Sequence, residues 1–348
     1  GPSSVLLIGL IASQGFDVPT VYSSILIGGL ILALVSLAGF FGRLQRLFTP
    51  RVVAVILILI ALTLAPTVMG LITVAGGRAS PLANLLFAMI LTLFMFFLYR
   101  YLRGIWRSTL ILWAMVAGTL MHVFLFPQGP VIQPFFEAKP ISLFFTDLTT
   151  GLSVQPGVLV SFLFCFFALS INDLGSIQSM KELLNPQDMT KRIKRGITFT
   201  GLANALSGFF GVVGPVNFSL SPGVITATGC ASRYTLLPAA ALLFLLSFSP
   251  LLVGLMGAIP PVVVGSCLIY ILSYQVAAGL MVAFQAGDRF GLENGLVIGL
   301  PVLLATIVAF LPGPVLGSFP AVLRPVLGNG FVIGVISTII LEHVIFRK

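Results

Sequence analysis

The scarcity of charged residues is the feature that most limits how this chain can fold. Of its 348 residues, 58% are hydrophobic and only 8% are charged. A soluble domain carries about 25% charged residues, so this chain lacks the polar side chains that would cover a water-facing surface. Most of its surface must therefore face lipid. Since one spanning helix needs about 20 apolar residues, the chain has room for roughly a dozen spans.

The apolar runs, separated by charged or Gly- and Pro-rich breaks, predict an all-α polytopic membrane protein. We predict one short apolar segment followed by longer spans, near 3–14, 19–41, 50–75, 82–102, 106–127, 155–178, 197–213, 235–256, 259–284, 294–312 and 327–346. The sequence contains no nucleophile–base pair, phosphate loop or metal-ligand cluster that we can identify. We therefore expect neither an enzyme nor a bound cofactor or metal.

The Lys and Arg positions predict which loops face the cytoplasm. If each apolar run, and the short segment at 213–234, crosses once, then 15 of the 18 Lys and Arg residues fall on one side. The three most basic loops, 43–51, 100–107 and 181–195, lie on that side and are predicted to be cytoplasmic. This bias explains the net charge of +9 without a nucleic-acid partner, and predicts a multi-pass protein of the plasma or inner membrane.

Asp173 is the one acidic residue that falls well inside an apolar run, 162–177. A charge at membrane depth costs at least about 2.5–3.5 kcal/mol on insertion scales, so an acid kept there is a candidate for function. Proton coupling needs a group that titrates, and we predict Asp173 for that role. The alternative is that the span ends early and Asp173 lies near water at a helix end.

Residues 211–229 are too rich in Gly, Pro and Ser to form one continuous spanning helix. They predict an extended stretch and then a half-helix, with Ser221 as N-cap and Pro222 in its first turn. Secondary transporters build binding sites from such discontinuous helices, whose N-terminal N–H groups face the site. Residues 1–4, Gly-Pro-Ser-Ser, have a similar composition, which indicates either an inverted repeat or a coincidence in a Gly- and Pro-rich chain.

Several short motifs carry a family resemblance. Gly223, Thr228 and Gly229 have the spacing Gly-x-x-x-x-Thr-Gly, and Ser-Gly-Phe-Phe-Gly precedes them at 207–211. Ile-Pro-Pro-Val stands at 259–262, and Ser-Ser at 3–4. In this order the motifs resemble the nucleobase–ascorbate transporter family, which includes bacterial uracil and xanthine permeases. The resemblance runs from the third to the fourteenth span of that family and so covers essentially the whole chain.

The resemblance implies the architecture of the family. Fourteen segments form two inverted seven-segment repeats with a core and a gate domain, and segments three and ten each pair a short strand with a half-helix. By this reading the first two segments are absent from the chain. The core domain would comprise 1–41 and 155–256, and the gate domain 50–127 and 259–346. The resemblance also implies an elevator-type motion and a homodimer through the gate domains, in contact with membrane lipid.

The resemblance further implies a substrate site in which several polar positions have changed. Asn172 occupies the position of a substrate-binding Glu, with Asp173 beside it. Phe218 would stack on a planar ring, and Ser219 would offer its backbone N–H. Tyr270 either lines the site or packs in the gate. The positions at which the usual side chain is replaced also belong to the predicted site, and they are Val5, Leu220 and Ser221.

These observations favour a secondary active transporter for a nucleobase or a similar small planar solute. The coupling ion would be a proton or sodium, or the protein would be a uniporter if Asp173 faces a loop. A second hypothesis is an anion transporter of the sulfate-permease type, because half-helix dipoles and Leu220 suit an anion. A third is a membrane receptor or scaffold without transport, which the absent segments and the changed motif would fit.

Overall fold

A computed structural model describes residues 3, 6, 10, 16–73, 80–126, 148–149, 151–217, 221–285, 291–320 and 323–346. The longer helices of this part are α1 (Val18–Leu37), α2 (Pro50–Thr63), α3 (Ala65–Thr73), α4 (Pro81–Tyr101), α5 (Leu110–Leu125), α6 (Pro156–Leu184), α7 (Met189–Phe209), α8 (Ser221–Thr228), α9 (Leu236–Ser247), α10 (Pro250–Gly257), α11 (Pro261–Gln285), α12 (Leu292–Ala309) and α13 (Gly330–Ile340). Short helical turns lie at Phe40–Leu44, Gln45–Leu47, Ile105–Ser108, Arg233–Thr235, Gly313–Ser318 and Arg324–Leu327, and a π-helical turn at Leu341–Ile345.

The helices of the described part confirm the all-α, polytopic class. Six stretches are long and apolar enough to cross a membrane, namely Val18–Leu37, Pro50–Thr73, Pro81–Tyr101, Pro156–Lys181, Pro261–Phe284 and Leu292–Ala309. Two shorter apolar helices, Leu110–Leu125 and Gly330–Ile345, lie within the spans predicted near 106–127 and 327–346. The predicted segment 3–14 lies mostly outside the described residues.

The chain folds as two compact units. The first comprises Gly1–Thr63, Phe145–Pro222 and Val276–Lys348, and the second comprises Leu64–Phe144 and Gly223–Gln275. The core and gate domains predicted from the family resemblance have other bounds than these two units. The division into core and gate stays a prediction.

In the first unit, α1 and α7 pack so closely that their backbones touch. A Cβ atom added to Gly29 would lie 2.6 Å from the Ala205 nitrogen, and one added to Gly201 would lie 2.6 Å from the Ala33 nitrogen. In lipid there is no hydrophobic driving force between helices, so they associate through small residues that allow such close approach. This seam of small residues fixes α7, which carries part of the candidate site, against α1.

Helix α2 forms the apolar centre of the first unit. All residues from Val52 to Ala61 are buried, and because the helix is apolar on every face it can pack against other helices on every side. It contacts α6, α12 and α13.

The second unit contains α4, α5 and the first part of α11. The Thr92 hydroxyl of α4 donates to the Ser266 carbonyl of α11 at 3.3 Å. On α5, His122 is buried and its Nε2 atom lies 3.1 Å from Asn84 Oδ1. Other side chains of α4, such as Ile90 and Leu93, are more than 60% exposed, as expected for a surface that faces lipid.

Candidate substrate site

The segment around 211–229 is broken, as the sequence predicts. Residues 212–217 are not helical, and α8 has only eight residues, fewer than half of the about 20 that a span requires. The stretch formed by α8 and the helices at 233–247 bends by 111°. In addition, the Ser3 N–H donates to the Gly214 carbonyl at 3.0 Å, which pairs the start of the chain with this extended stretch.

Asn204 of α7 holds the extended stretch in place. Its side chain is fully buried, and Nδ2 donates to the Thr200 carbonyl at 2.7 Å and to the Pro215 carbonyl at 2.8 Å. The Oδ1 atom lies so close to Gly214 that a Cβ atom there would overlap with it. Glycine at 214 is therefore required for the close approach of this backbone to α7.

Asp173 of α6 faces the same extended stretch. Its Oδ1 atom accepts a hydrogen bond from the Asn217 N–H at 3.1 Å, and Asn217 Nδ2 donates to the Thr200 hydroxyl at 3.4 Å. Asp173 is 0% exposed, and its Oδ2 atom is buried without a hydrogen-bond partner among the described residues. The alternative that Asp173 lies near water at a helix end is wrong, because α6 continues to Leu184.

The other predicted site residues are only partly described. Asn172 is half-buried on α6, next to Asp173. Ser221 is half-buried and is the first residue of α8, so the helix begins one residue earlier than its predicted role as N-cap implies. The remaining predictions in this region concern residues outside the described ranges and stay predictions, namely those for Val5, Phe218, Ser219 and Leu220.

The three signature residues shape α8 and its surroundings. A Cβ atom on Gly223 would lie 2.8 Å from the Ile271 carbonyl oxygen, so glycine lets α8 approach α11 closely. The Thr228 hydroxyl donates to the Val224 carbonyl at 2.7 Å. Gly229 has a φ of +71°, and its N–H donates to the Ile225 carbonyl at 2.8 Å. A glycine with a left-handed backbone conformation is a common end of an α-helix. The signature thus ends the half-helix.

Tyr270 lies in an aromatic cluster of the second unit. It is 1% exposed, its hydroxyl lies 3.2 Å from that of Tyr274, and its ring centroid is 4.9 Å from that of Phe96. These contacts favour packing over the lining of a substrate site. The assignment of Tyr270 to the substrate site stays a prediction.

Sequence reasoning missed three residues that support the site, namely Thr200, Asn204 and Asn217. Thr200 and Asn204 are polar residues inside the apolar span predicted near 197–213, and buried polar groups in spans are expected to have partners. This signal could have identified both. In the described ranges no three His, Cys, Asp or Glu side chains are grouped as ligands of a metal would be, so the site consists of amides, hydroxyls, one carboxylate and backbone groups.

Comparison with known proteins identifies the family. Residues 2–314 match the model of a permease family, Xan_ur_permease. The chain belongs to this family. A putative purine permease of Clostridium perfringens, CPE0397, is 28% identical over 332 residues, which cover 94% of this chain and 71% of that protein. The uric acid permease PucK of Bacillus subtilis is 27% identical over 95% of this chain and 76% of its own length.

Further relatives belong to the same group of permeases. The xanthine permease XanP of Escherichia coli is 26% identical over 94% of this chain and 72% of its own length. Together with the family match, these relatives confirm the resemblance derived from the motifs at 207–229. The chain is a permease rather than an enzyme, and a multi-pass protein of the plasma membrane.

Proposed function

We propose that this permease is a secondary active transporter that carries a nucleobase, most specifically an oxidised purine such as xanthine or uric acid. The observation that carries the proposal is the family match across residues 2–314. Relatives named as purine, uric acid and xanthine permeases align with more than nine tenths of the chain. The family match favours this proposal over the sulfate-permease and receptor alternatives.

Substrate recognition would use groups that suit the edge and the face of a planar base. A purine presents hydrogen-bond donors and acceptors along its edges, and a side-chain amide can both donate and accept. Asn172 would bind such an edge. Phe218 would supply a stacking surface, and the N-terminal N–H groups of α8 would face the acceptor atoms of the base.

Asp173 would bind the coupling cation. A buried carboxylate that is ionised and incompletely hydrogen-bonded is costly, and the cost falls when a proton or another cation joins it. Asp173 Oδ2 has no partner among the described residues, whereas Oδ1 holds the Asn217 N–H. A cation arriving at Oδ2 would therefore act on the carboxylate that positions the stretch before α8. The cation would be a proton or sodium.

The transport cycle would follow the architecture implied by the family resemblance. In this proposal a core domain moves against a gate domain in an elevator-type motion, and two chains associate through their gate domains. The tight seam between α1 and α7 supports the first part of this proposal, because two helices whose backbones touch would move together.

Thermal stabilisation tests the substrate class. A ligand that binds only the folded protein raises the melting temperature, by an amount that corresponds to about 2.7 kcal/mol at 100 times its Kd. The purified full chain would be heated with xanthine, uric acid, uracil or sulfate. We expect stabilisation by a purine that Asn172→Ala abolishes and that the exposed control Gln187→Ala retains. Stabilisation by sulfate alone would refute the proposal.

A further inference from the structure

A basic cavity in the first unit lies outside the candidate substrate site. Its volume is ≈ 490 Å³, and none of the predicted site residues lines it. The side chains that carry the argument are those of Arg46, Lys181, Thr49, Thr190 and Phe48. The cavity thus has the size of a small-molecule site, which is about 300–1,000 Å³ in proteins.

The cavity lies where two predicted cytoplasmic loops meet. Arg46, Phe48 and Thr49 belong to the connection between α1 and α2, whereas Lys181 is in the last turn of α6 and Thr190 in the first turn of α7. Both loops, 43–51 and 181–195, belong to the positively charged side of the protein. The positive-inside rule therefore predicts that the site is at the cytoplasmic membrane surface, where the head groups of anionic phospholipids are found.

The lining has positive charge that no ion pair among the described residues neutralises. Two lining side chains are cationic and none is acidic. Among the described residues, the ion pairs join Asp188 to Lys191 at 3.2 Å and Glu342 to Arg51 at 3.9 Å, so neither involves Arg46 or Lys181. Glu342 also accepts a hydrogen bond from the Thr49 hydroxyl at 2.7 Å, which holds its carboxylate beside the start of α2.

We infer that this cavity binds a phosphate group, and that its ligand is the head group of an anionic phospholipid. Arg and Lys are the side chains that bind phosphate most often, Arg through paired N–H groups and Lys as a point charge. The buried ring of Phe48 gives the cavity an apolar wall beside these cations. A lipid bound there joins the connection before α2 to the ends of α6 and α7, and so stabilises the unit that carries Asp173.

The experiment titrates the purified full chain with dioleoyl phosphatidylglycerol, with dioleoyl phosphatidylcholine and with inorganic phosphate, while melting temperature and bound lipid are measured. Phosphatidylglycerol raises the melting temperature, whereas phosphatidylcholine does not. The double variant Arg46→Gln, Lys181→Gln loses the two cations, and its affinity for phosphatidylglycerol falls about 30-fold. The control is the double variant Lys194→Gln, Arg195→Gln, which also removes one Lys and one Arg, but from exposed positions on α7.

The outcomes separate the ligand from a general effect of surface charge. Retained binding in the control and loss in the cavity variant support the site, provided that both variants melt like the wild type in phosphatidylcholine. If inorganic phosphate raises the melting temperature as much as phosphatidylglycerol does, the cavity binds phosphate, but the ligand is a soluble anion and not a lipid. Equal losses in both variants, or no preference for phosphatidylglycerol, overturn the inference.

Discussion

Asp173 Oδ1 accepts a hydrogen bond from the backbone N–H of Asn217 at 3.1 Å. The bond joins the middle of α6 to the extended stretch that precedes α8. The two carboxylate oxygens therefore differ, since Oδ1 has a structural partner and Oδ2 has none among the described residues. The structural bond and the proposed cation binding can therefore be tested separately by substitution.

The substitution Asp173→Asn retains an oxygen that can accept the Asn217 N–H but removes the charge that a cation would neutralise. We expect a normal melting temperature, retained purine binding and an uptake that no longer follows an imposed cation gradient. Asp173→Ala removes both the acceptor for the Asn217 N–H and the charge. Because a buried N–H without an acceptor costs about 1–3 kcal/mol, we expect this variant to be less stable by about that amount. Melting temperature, purine binding and gradient-driven uptake, measured in both variants, test these expectations.

If Asp173→Asn still accumulates purine against its gradient, Asp173 does not bind the coupling cation. If Asp173→Asn loses stability as strongly as Asp173→Ala, the role of the carboxylate is structural. A variant that keeps stability and binding but loses coupling agrees with the proposal.

The seam between α1 and α7 leaves no room for a side chain at position 201. A methyl group at Gly201 would lie 2.6 Å from the Ala33 nitrogen, and that backbone cannot move without moving α1. We expect Gly201→Ala to lower the free energy of unfolding by about 1–3 kcal/mol, as other overpacked cores do. The matched control is Gly299→Ala on α12, where no atom lies within 4 Å of the added Cβ. Thermal unfolding of both variants tests the seam, and equal melting temperatures would contradict it.

The end of α8 depends on the left-handed backbone of Gly229. An L-residue in that conformation costs about 1–2 kcal/mol, so Gly229→Ala should be destabilising by about that amount. Gly70→Ala on α3 is the control, because its φ is ordinary and no atom lies within 4 Å of the added Cβ. Thr228→Ser keeps the hydroxyl that donates to Val224 and should melt like the wild type. A larger loss for Gly70→Ala would contradict this account of the signature.

The start of α1 should respond to acid through Asp17. Its carboxylate accepts hydrogen bonds from the Thr20 hydroxyl at 2.6 Å and the Thr20 N–H at 3.2 Å, and these bonds hold the pKa of Asp17 below its usual value of 3.8. Because the folded-state pKa is the lower one, the stabilisation is present above 3.8 and is lost as the pH falls through the folded-state pKa.

The melting temperatures of the wild type and of Asp17→Asn should therefore converge as the pH is lowered from about 7 towards 3. Asn keeps a side-chain acceptor for the helix N-terminus and removes only the ionisable group. A difference between the two proteins that does not change with pH would show that the charge of Asp17 contributes nothing.

The break around 211–229 could be predicted from the sequence because it rests on local chemistry. Gly and Pro at this density exclude a continuous helix, and a Thr-Gly pair at the end of a short apolar run is a normal helix C-terminus. The long-range contacts could not be predicted in this way. Neither the bond from the Asn217 backbone to Asp173 nor that from Asn204 to the Pro215 carbonyl has a sequence pattern, since each joins elements that only the tertiary fold brings together.

Tyr270 and the family signature illustrate a second limit. Resemblance places residues at a family site but does not say which atoms touch a substrate. Gly223, Thr228 and Gly229 each have a local role that accounts for the residue type, and Tyr270 is packed against Phe96 and Tyr274. At Asp173, by contrast, a buried carboxylate oxygen has no hydrogen-bond partner within the described part of the chain.

Uptake by proteoliposomes that contain the purified full chain tests the central claim most directly. Radiolabelled xanthine, uric acid and sulfate would be offered separately, with and without an imposed proton or sodium gradient, and empty liposomes would give the background. We predict that at least one of the two purines accumulates when a cation gradient is imposed, that Asp173→Asn abolishes this accumulation, and that sulfate stays at background. Accumulation of sulfate without any purine, or no uptake above empty liposomes, would contradict the account.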